Sequence, residues 1–141
     1  MKIKESFELI KDKCIFEGHF FQHTAEWYTY NKSRENSLIL VYEDMKKDLR
    51  GNVKKISDFL GKNLSDEALD KIAEKSTFES VVKDPNLNRR GAPHFKEERA
   101  RFLRKGKVGD WQDYFTEEQN AYIEAESKTY IEPIGLKFNY Y

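Results

Sequence analysis

The chain is short of the residues that most often announce a chemistry. Cys14 is the only cysteine in 141 residues, which excludes an internal disulfide, and without a Cys-x-x-Cys pair or a Cys/His cluster there is no zinc site to propose. Its neighbours Ile10 and Ile15 are apolar, so Cys14 reads as a small core residue in a reducing, cytoplasmic setting. Long apolar runs are also missing, and charges run through Met1–Glu8, so neither a membrane span nor a signal peptide is expected. No sign of charge dominates. With 25 basic and 25 acidic residues the molecule has no bulk field to draw it to nucleic acid or an anionic membrane. Any anion site must be local. An Arg/Lys cluster does occur at Arg99, Arg101, Arg104, Lys105 and Lys107, but Glu97, Glu98 and Asp110 interrupt it, which argues against RNA binding.

What the chain does have is aromatic residues, 14% of the total, recurring at structural periods that offset a charged fraction of 35%. One folded domain over 1–141 is the expectation. Ile3, Phe7, Ile10 and Cys14 form a helical stripe, and a second helix over 19–30 carries Phe20, Thr24, Trp27 and Tyr28 on one side, read as a core face. Residues 37–42, Ser-Leu-Ile-Leu-Val-Tyr, make a short continuous apolar run, as expected of a strand covered on both faces in a parallel sheet. A helix with Leu49, Val53, Ile56, Phe59 and Leu60 follows, closed by Gly61. Ser65 caps the next, which stops near Ser76, and Thr116 with Gln119 has capping-box spacing for a last helix to about Tyr130. Pro85, Gly91 and Pro93 break up the stretch 84–101, a candidate lid. A single strand leaves both of its edges unpaired, so the sheet it belongs to is incomplete within this chain.

The chemistry concentrates at Arg104-Lys105-Gly106-Lys107-Val108-Gly109-Asp110-Trp111. Two cations beside a residue without Cβ let a phosphate meet charged donors and backbone N–H groups together. Gly109-Asp110 supplies a tight turn and Trp111 an apolar anchor that holds the basic loop in one shape.

This string resembles the Arg-Lys-Gly-x-x-Gly-Asp-Trp signature of cytosolic-type sulfotransferases, which use 3′-phosphoadenosine 5′-phosphosulfate. Val41-Tyr42-Glu43-Asp44-Met45, Phe59-Leu60-Gly61, Ser76-Thr77-Phe78 and Lys83-Asp84-Pro85-x-x-Asn88 are similar to further family motifs in the same order, and Gly18-x-Phe20-x-x-His23-x-x-x-Trp27 to a segment near the acceptor pocket. The resemblance implies an α/β fold, the carboxy-terminal part of a P-loop-like sulfotransferase, mostly helical with one parallel-sheet strand at about 37–42. It also implies that Tyr42 and Ser76 contact adenine, that Phe78 stacks on it, and that Arg104, Lys105 and Gly106 hold the 3′-phosphate. For His23 the reading is packing.

Departures from the family narrow what this implies. The family's Lys-Ser-Gly-Thr-Thr-Trp loop, which grips the 5′-phosphosulfate, has no counterpart, and none of His19, His23 and His94 matches its catalytic histidine. No catalytic residue and no metal is therefore assigned. Of the dimer motif Lys-x-x-x-Thr-Val-x-x-x-Glu only Thr116 is present, with Gln112, Glu117 and Ala121 elsewhere, so oligomeric state stays open. The expectation is an incomplete sulfotransferase domain whose parent transfers a sulfuryl group to a hydroxyl or amine of a small molecule. On this reading the chain carries the adenine and 3′-phosphate half-site and is nearly inactive alone. The alternative is a non-catalytic nucleotide-binding or interaction module. At Arg89, Arg90, His94 and Phe95 the chain departs from the family, which leaves the acceptor unassigned.

Overall fold

The structure, a computed structural model, describes residues 7, 8, 11, 19–87, 103 and 105–137. Cys14, Arg104, and Asn88–Arg101 of the expected lid, including Arg89, Arg90, His94 and Phe95, lie outside the described residues. The chain divides into two compact units, Met1–Ile39 with Gly109–Tyr141, and Leu40–Val108.

The first unit is built on helices α1 (Phe20–Asn31) and α6 (Glu117–Tyr130), which pack on each other. Phe7, Glu8 and Lys11 have helical backbone, in keeping with the expected amino-terminal helix. His19 caps α1. Its Nδ1 accepts from the Gln22 backbone N–H at 3.3 Å, which leaves the ring proton on Nε2, 2.6 Å from Glu126 Oε2 on α6. The Tyr130 ring meets the imidazole edge-on at 4.9 Å. Phe7, Phe21 and Ile131 form the buried core, with Phe7 edge-on to Tyr122 at 5.6 Å. Thr116 opens α6 with a complete capping box: its hydroxyl accepts from Gln119 N–H, and the Gln119 side chain accepts from Thr116 N–H. Pro133 enters a short 3₁₀ turn over Glu132–Ile134, and Gly135, at φ +76°, ends it.

The second unit is a run of four helices: α2 (Tyr42–Lys47), α3 (Leu49–Phe59), α4 (Asp66–Lys75) and α5 (Phe78–Lys83). Val53 and Leu69 are its buried apolar residues. Asn52 is buried too, and its amide donates to the carbonyls of Asp44 at 3.2 Å and Asp48 at 2.7 Å, tying α3 to the end of α2. Asp48 caps α3 by accepting from Gly51 N–H at 2.8 Å. The other end of α3 closes as a Schellman motif: Gly61, at φ +64°, donates to Asp58 and Lys62 donates to Ser57. Arg50 bridges from α3 to Asp66 and Asp70 on α4, and Ser65 caps α4 as expected.

One expectation is not confirmed and one is corrected. Among the described residues there is no β-strand. Ser37–Val41 is non-helical, half-buried backbone that leads directly into α2, and Tyr42 is already helical. An apolar run becomes a strand only when neighbouring strands take its N–H and C=O groups, and the described residues supply none. On α1 the buried side is Phe21 with half-buried Thr24, Ala25 and Tyr28, while Phe20 and Trp27 are each 51% exposed and His23 is exposed. The helical stripe is present but turned by one residue from the expected Phe20 face, and His23 does not pack in the core.

Candidate functional site

The Leu40–Val108 unit holds a cavity of about 750 Å³, within the range of small-molecule sites. Tyr42, Ser76, Phe78, Lys105 and Gly106 all line it. Of the six residues expected at a nucleotide, only Arg104 lies outside the described residues.

Local rules place each wall. Tyr42 is the first residue of α2 and is 51% exposed, so its ring stands at the mouth rather than in the core. Ser76 is the C-cap of α4; its N–H donates to the carbonyls of Ile72 at 3.0 Å and Ala73 at 3.1 Å. Thr77 then turns the chain. Its hydroxyl accepts from Ser80 N–H at 3.2 Å and donates to the Glu74 carbonyl at 3.0 Å. That double role caps α5 and sets Phe78 as its first residue, facing the cavity. Ser76 itself lines the cavity.

Gly106 explains itself. It sits at φ +62°, and a Cβ built there would lie 2.5 Å from Phe78 Cγ and 2.9 Å from its Cε2. Only a residue without a side chain lets the basic loop cross the phenyl ring so closely. The loop and the aromatic wall are thus held against one another. Among the described residues, Lys46, Lys47, Lys105 and Lys107 line the cavity against a single acid, Glu79, so its field favours anions.

Downstream, Gly109 is left-handed at φ +79° and opens a 3₁₀ turn over Asp110–Asp113. That is the tight turn read from Gly109-Asp110. Trp111 and Phe115, with ring centroids 6.0 Å apart, line a smaller cavity of about 140 Å³ with Asn120, Ile123 and Glu124. Thr116 serves α6 as its cap. His19 is committed to capping and to Glu126, and His23 is exposed on α1. Among the described residues no group of His, Cys, Asp or Glu is arranged to hold a metal ion, and no helix is long and apolar enough to cross a membrane.

Sequence reasoning missed Lys46, Lys47 and Glu79 as cavity residues. They belong to two six-residue helices, α2 and α5, whose apolar content is too small to show a period. Their signal was charge order, with Glu43 and Asp44 before Lys46 and Lys47, and Glu79 before Lys83, which suits the helix dipole.

Comparison with known proteins places this architecture. The sulfotransferase domain family matches residues 1–131. The chain is 33% identical over 137 residues to rabbit sulfotransferase 1C2, covering 96% of this chain and 46% of that protein. It is 39% identical over 143 residues to the rabbit amine sulfotransferase, again covering 96% and 46%. Among solved structures, retinol dehydratase in complex with androsterone and the inactive cofactor PAP superposes with a TM-score of 0.80 at 30% identity, covering 98% of this chain and 40% of that one. A mouse sulfotransferase complexed with PAP gives a TM-score of 0.73 at 27% identity, covering 93% and 47%. This chain belongs to the sulfotransferase family and has a mostly helical part of its fold. It spans about half the length of the curated relatives it matches.

Proposed function

We propose that the cavity of the Leu40–Val108 unit takes the adenosine 3′-phosphate portion of 3′-phosphoadenosine 5′-phosphosulfate, as the nucleotide half-site of a sulfotransferase acting on a hydroxyl or amine of a small molecule. The observation that carries this is the convergence of Tyr42, Ser76, Phe78, Lys105 and Gly106, separated by up to 64 positions in sequence, on one cavity. The aromatic walls suit a purine face, and the Ser76 hydroxyl suits a ring nitrogen. Lys105 and Arg104 supply charge to the phosphate, while the Gly106 backbone approaches it without steric hindrance. That relatives have been solved with PAP supports the same reading.

The bound nucleotide would supply the sulfuryl group; this chain's residues bind and orient its adenosine end. The described residues place no histidine beside the cavity, since neither His19 nor His23 lines it. The chain alone is therefore expected to bind nucleotide and to transfer sulfuryl groups negligibly. Differential scanning fluorimetry with adenosine 3′,5′-bisphosphate tests the binding. A ligand present at a hundred times its Kd stabilises by about 2.7 kcal/mol, a rise of several degrees in Tm. Arg104→Ala should remove the rise. An unchanged melting curve at millimolar nucleotide would overturn the proposal.

A further inference from the structure

Resting on the half-site reading, we propose that Ser80, which does not itself line the cavity, is a positioning residue for the base: its hydroxyl ties α5 to the end of α4 and so holds Phe78 in place on the cavity wall. α5 depends on such ties. Six residues are too few for a helix to persist on its own, and none of Phe78–Lys83 is buried. Yet Phe78 and Val81 of α5 line the cavity, together with Ser76 and Thr77 of the turn before it. The placement of this aromatic wall therefore rests on how the turn between α4 and α5 is fastened.

The fastening converges on one group, the Glu74 carbonyl in the last turn of α4. It accepts from the Thr77 hydroxyl at 3.0 Å and from the Ser80 hydroxyl at 2.8 Å, and the two hydroxyl oxygens lie 2.9 Å apart. The Thr77 N–H donates to the same carbonyl at 3.3 Å. Thr77 is the cap, and its bond from the Ser80 N–H belongs to the start of any capped helix. The Ser80 hydroxyl bond is different, because it reaches from within α5 back to α4. Since Ser80 is not a lining residue, it can influence a ligand only through the wall it holds. The rival explanation is that the bond merely stabilises the turn, which predicts a lower Tm and an unchanged preference for a base.

The test is calorimetric titration of the full chain with adenosine 3′,5′-bisphosphate and with ribose 3,5-bisphosphate, which lacks the base. A base stacked on an aromatic wall should make the adenosine compound bind about tenfold more tightly or better. Ser80→Ala places a stronger helix former in α5, so the helix itself is not weakened. In that variant the preference should fall roughly fivefold, the equivalent of one hydrogen bond, with the affinity for ribose 3,5-bisphosphate unchanged. Ser65→Ala is the control: it removes the cap of α4, and should lower Tm while keeping the full preference. An undiminished preference in Ser80→Ala, or an equal loss in Ser65→Ala, overturns the role of Ser80 and leaves the half-site intact. If the unsubstituted chain binds neither compound, or does not distinguish them, the half-site reading fails and the role of Ser80 with it.

Discussion

Gly106→Ala isolates the contact between the basic loop and the aromatic wall. The added methyl meets two costs. At φ +62° an alanine occupies the left-handed region, worth roughly 1–2 kcal/mol. The same methyl would lie 2.9 Å from Phe78 Cε2 and closer still to the rest of the ring edge, so loop or ring must move. Together these put the penalty on the loop conformation at about 1–3 kcal/mol. If nucleotide binding requires that conformation, affinity falls by roughly one to two decades, at 1.4 kcal/mol per decade. Gly61→Ala is the matched control, because Gly61 has φ +64° but nothing within 4 Å of its would-be Cβ. It carries the backbone cost alone, far from the cavity, and should lower Tm by a few degrees without touching affinity. Titration of both variants with adenosine 3′,5′-bisphosphate decides the matter. Equal affinity for Gly106→Ala and the unsubstituted chain would refute the claim that this crossing shapes the site.

Other elements give separate checks. Thr116→Ala removes the hydroxyl half of the α6 capping box and should cost about 1 kcal/mol, read as a lower midpoint in urea at unchanged slope. Burial, then Glu126 and Tyr130, raise the Tyr122 phenol above its ordinary value. A raised native pKa contributes stability that is complete below the unfolded value, about 10, and is lost as pH rises through the folded one. Thermal melts should therefore show an alkaline loss of Tm that Tyr122→Phe reduces. Arg50→Gln breaks the bridges to Asp66 and Asp70, which lie at the surface. Its effect on Tm should be larger in 20 mM than in 500 mM salt, and equal effects would count against an electrostatic role.

Legibility in the sequence followed the range of the interactions involved. Caps are local, so Ser65, Gly61, Gly109 and the Thr116/Gln119 pair were readable from a few residues of spacing and stand as expected. The strand expected at 37–42 is not confirmed among the described residues, because strand formation depends on neighbours outside the run. The face of α1 was misassigned because Phe20 and Phe21 are adjacent: helical spacing from either gives a plausible stripe, and only packing against α6 selects Phe21. The cavity was half legible. Tyr42, Ser76, Phe78, Lys105 and Gly106 came from motif resemblance, since nothing in local patterning links a helix start at 42 to a loop at 106. Lys46, Lys47 and Glu79 went unread because resemblance does not mark them. Gly106 was read as giving a phosphate close access to the backbone. The structure adds a second reason, clearance over Phe78, that no spacing rule encodes.

The central claim is that one cavity in the Leu40–Val108 unit binds the adenosine 3′-phosphate group, and amide and aromatic NMR shifts on titration with adenosine 3′,5′-bisphosphate test it most directly. The account predicts saturable perturbations concentrated at Tyr42, Ser76, Phe78, Lys105 and Gly106, with Phe21, Tyr122 and Ile131 of the other unit's core unmoved. Saturable perturbations centred on the smaller cavity at Trp111 and Phe115, or none at millimolar nucleotide, would contradict it.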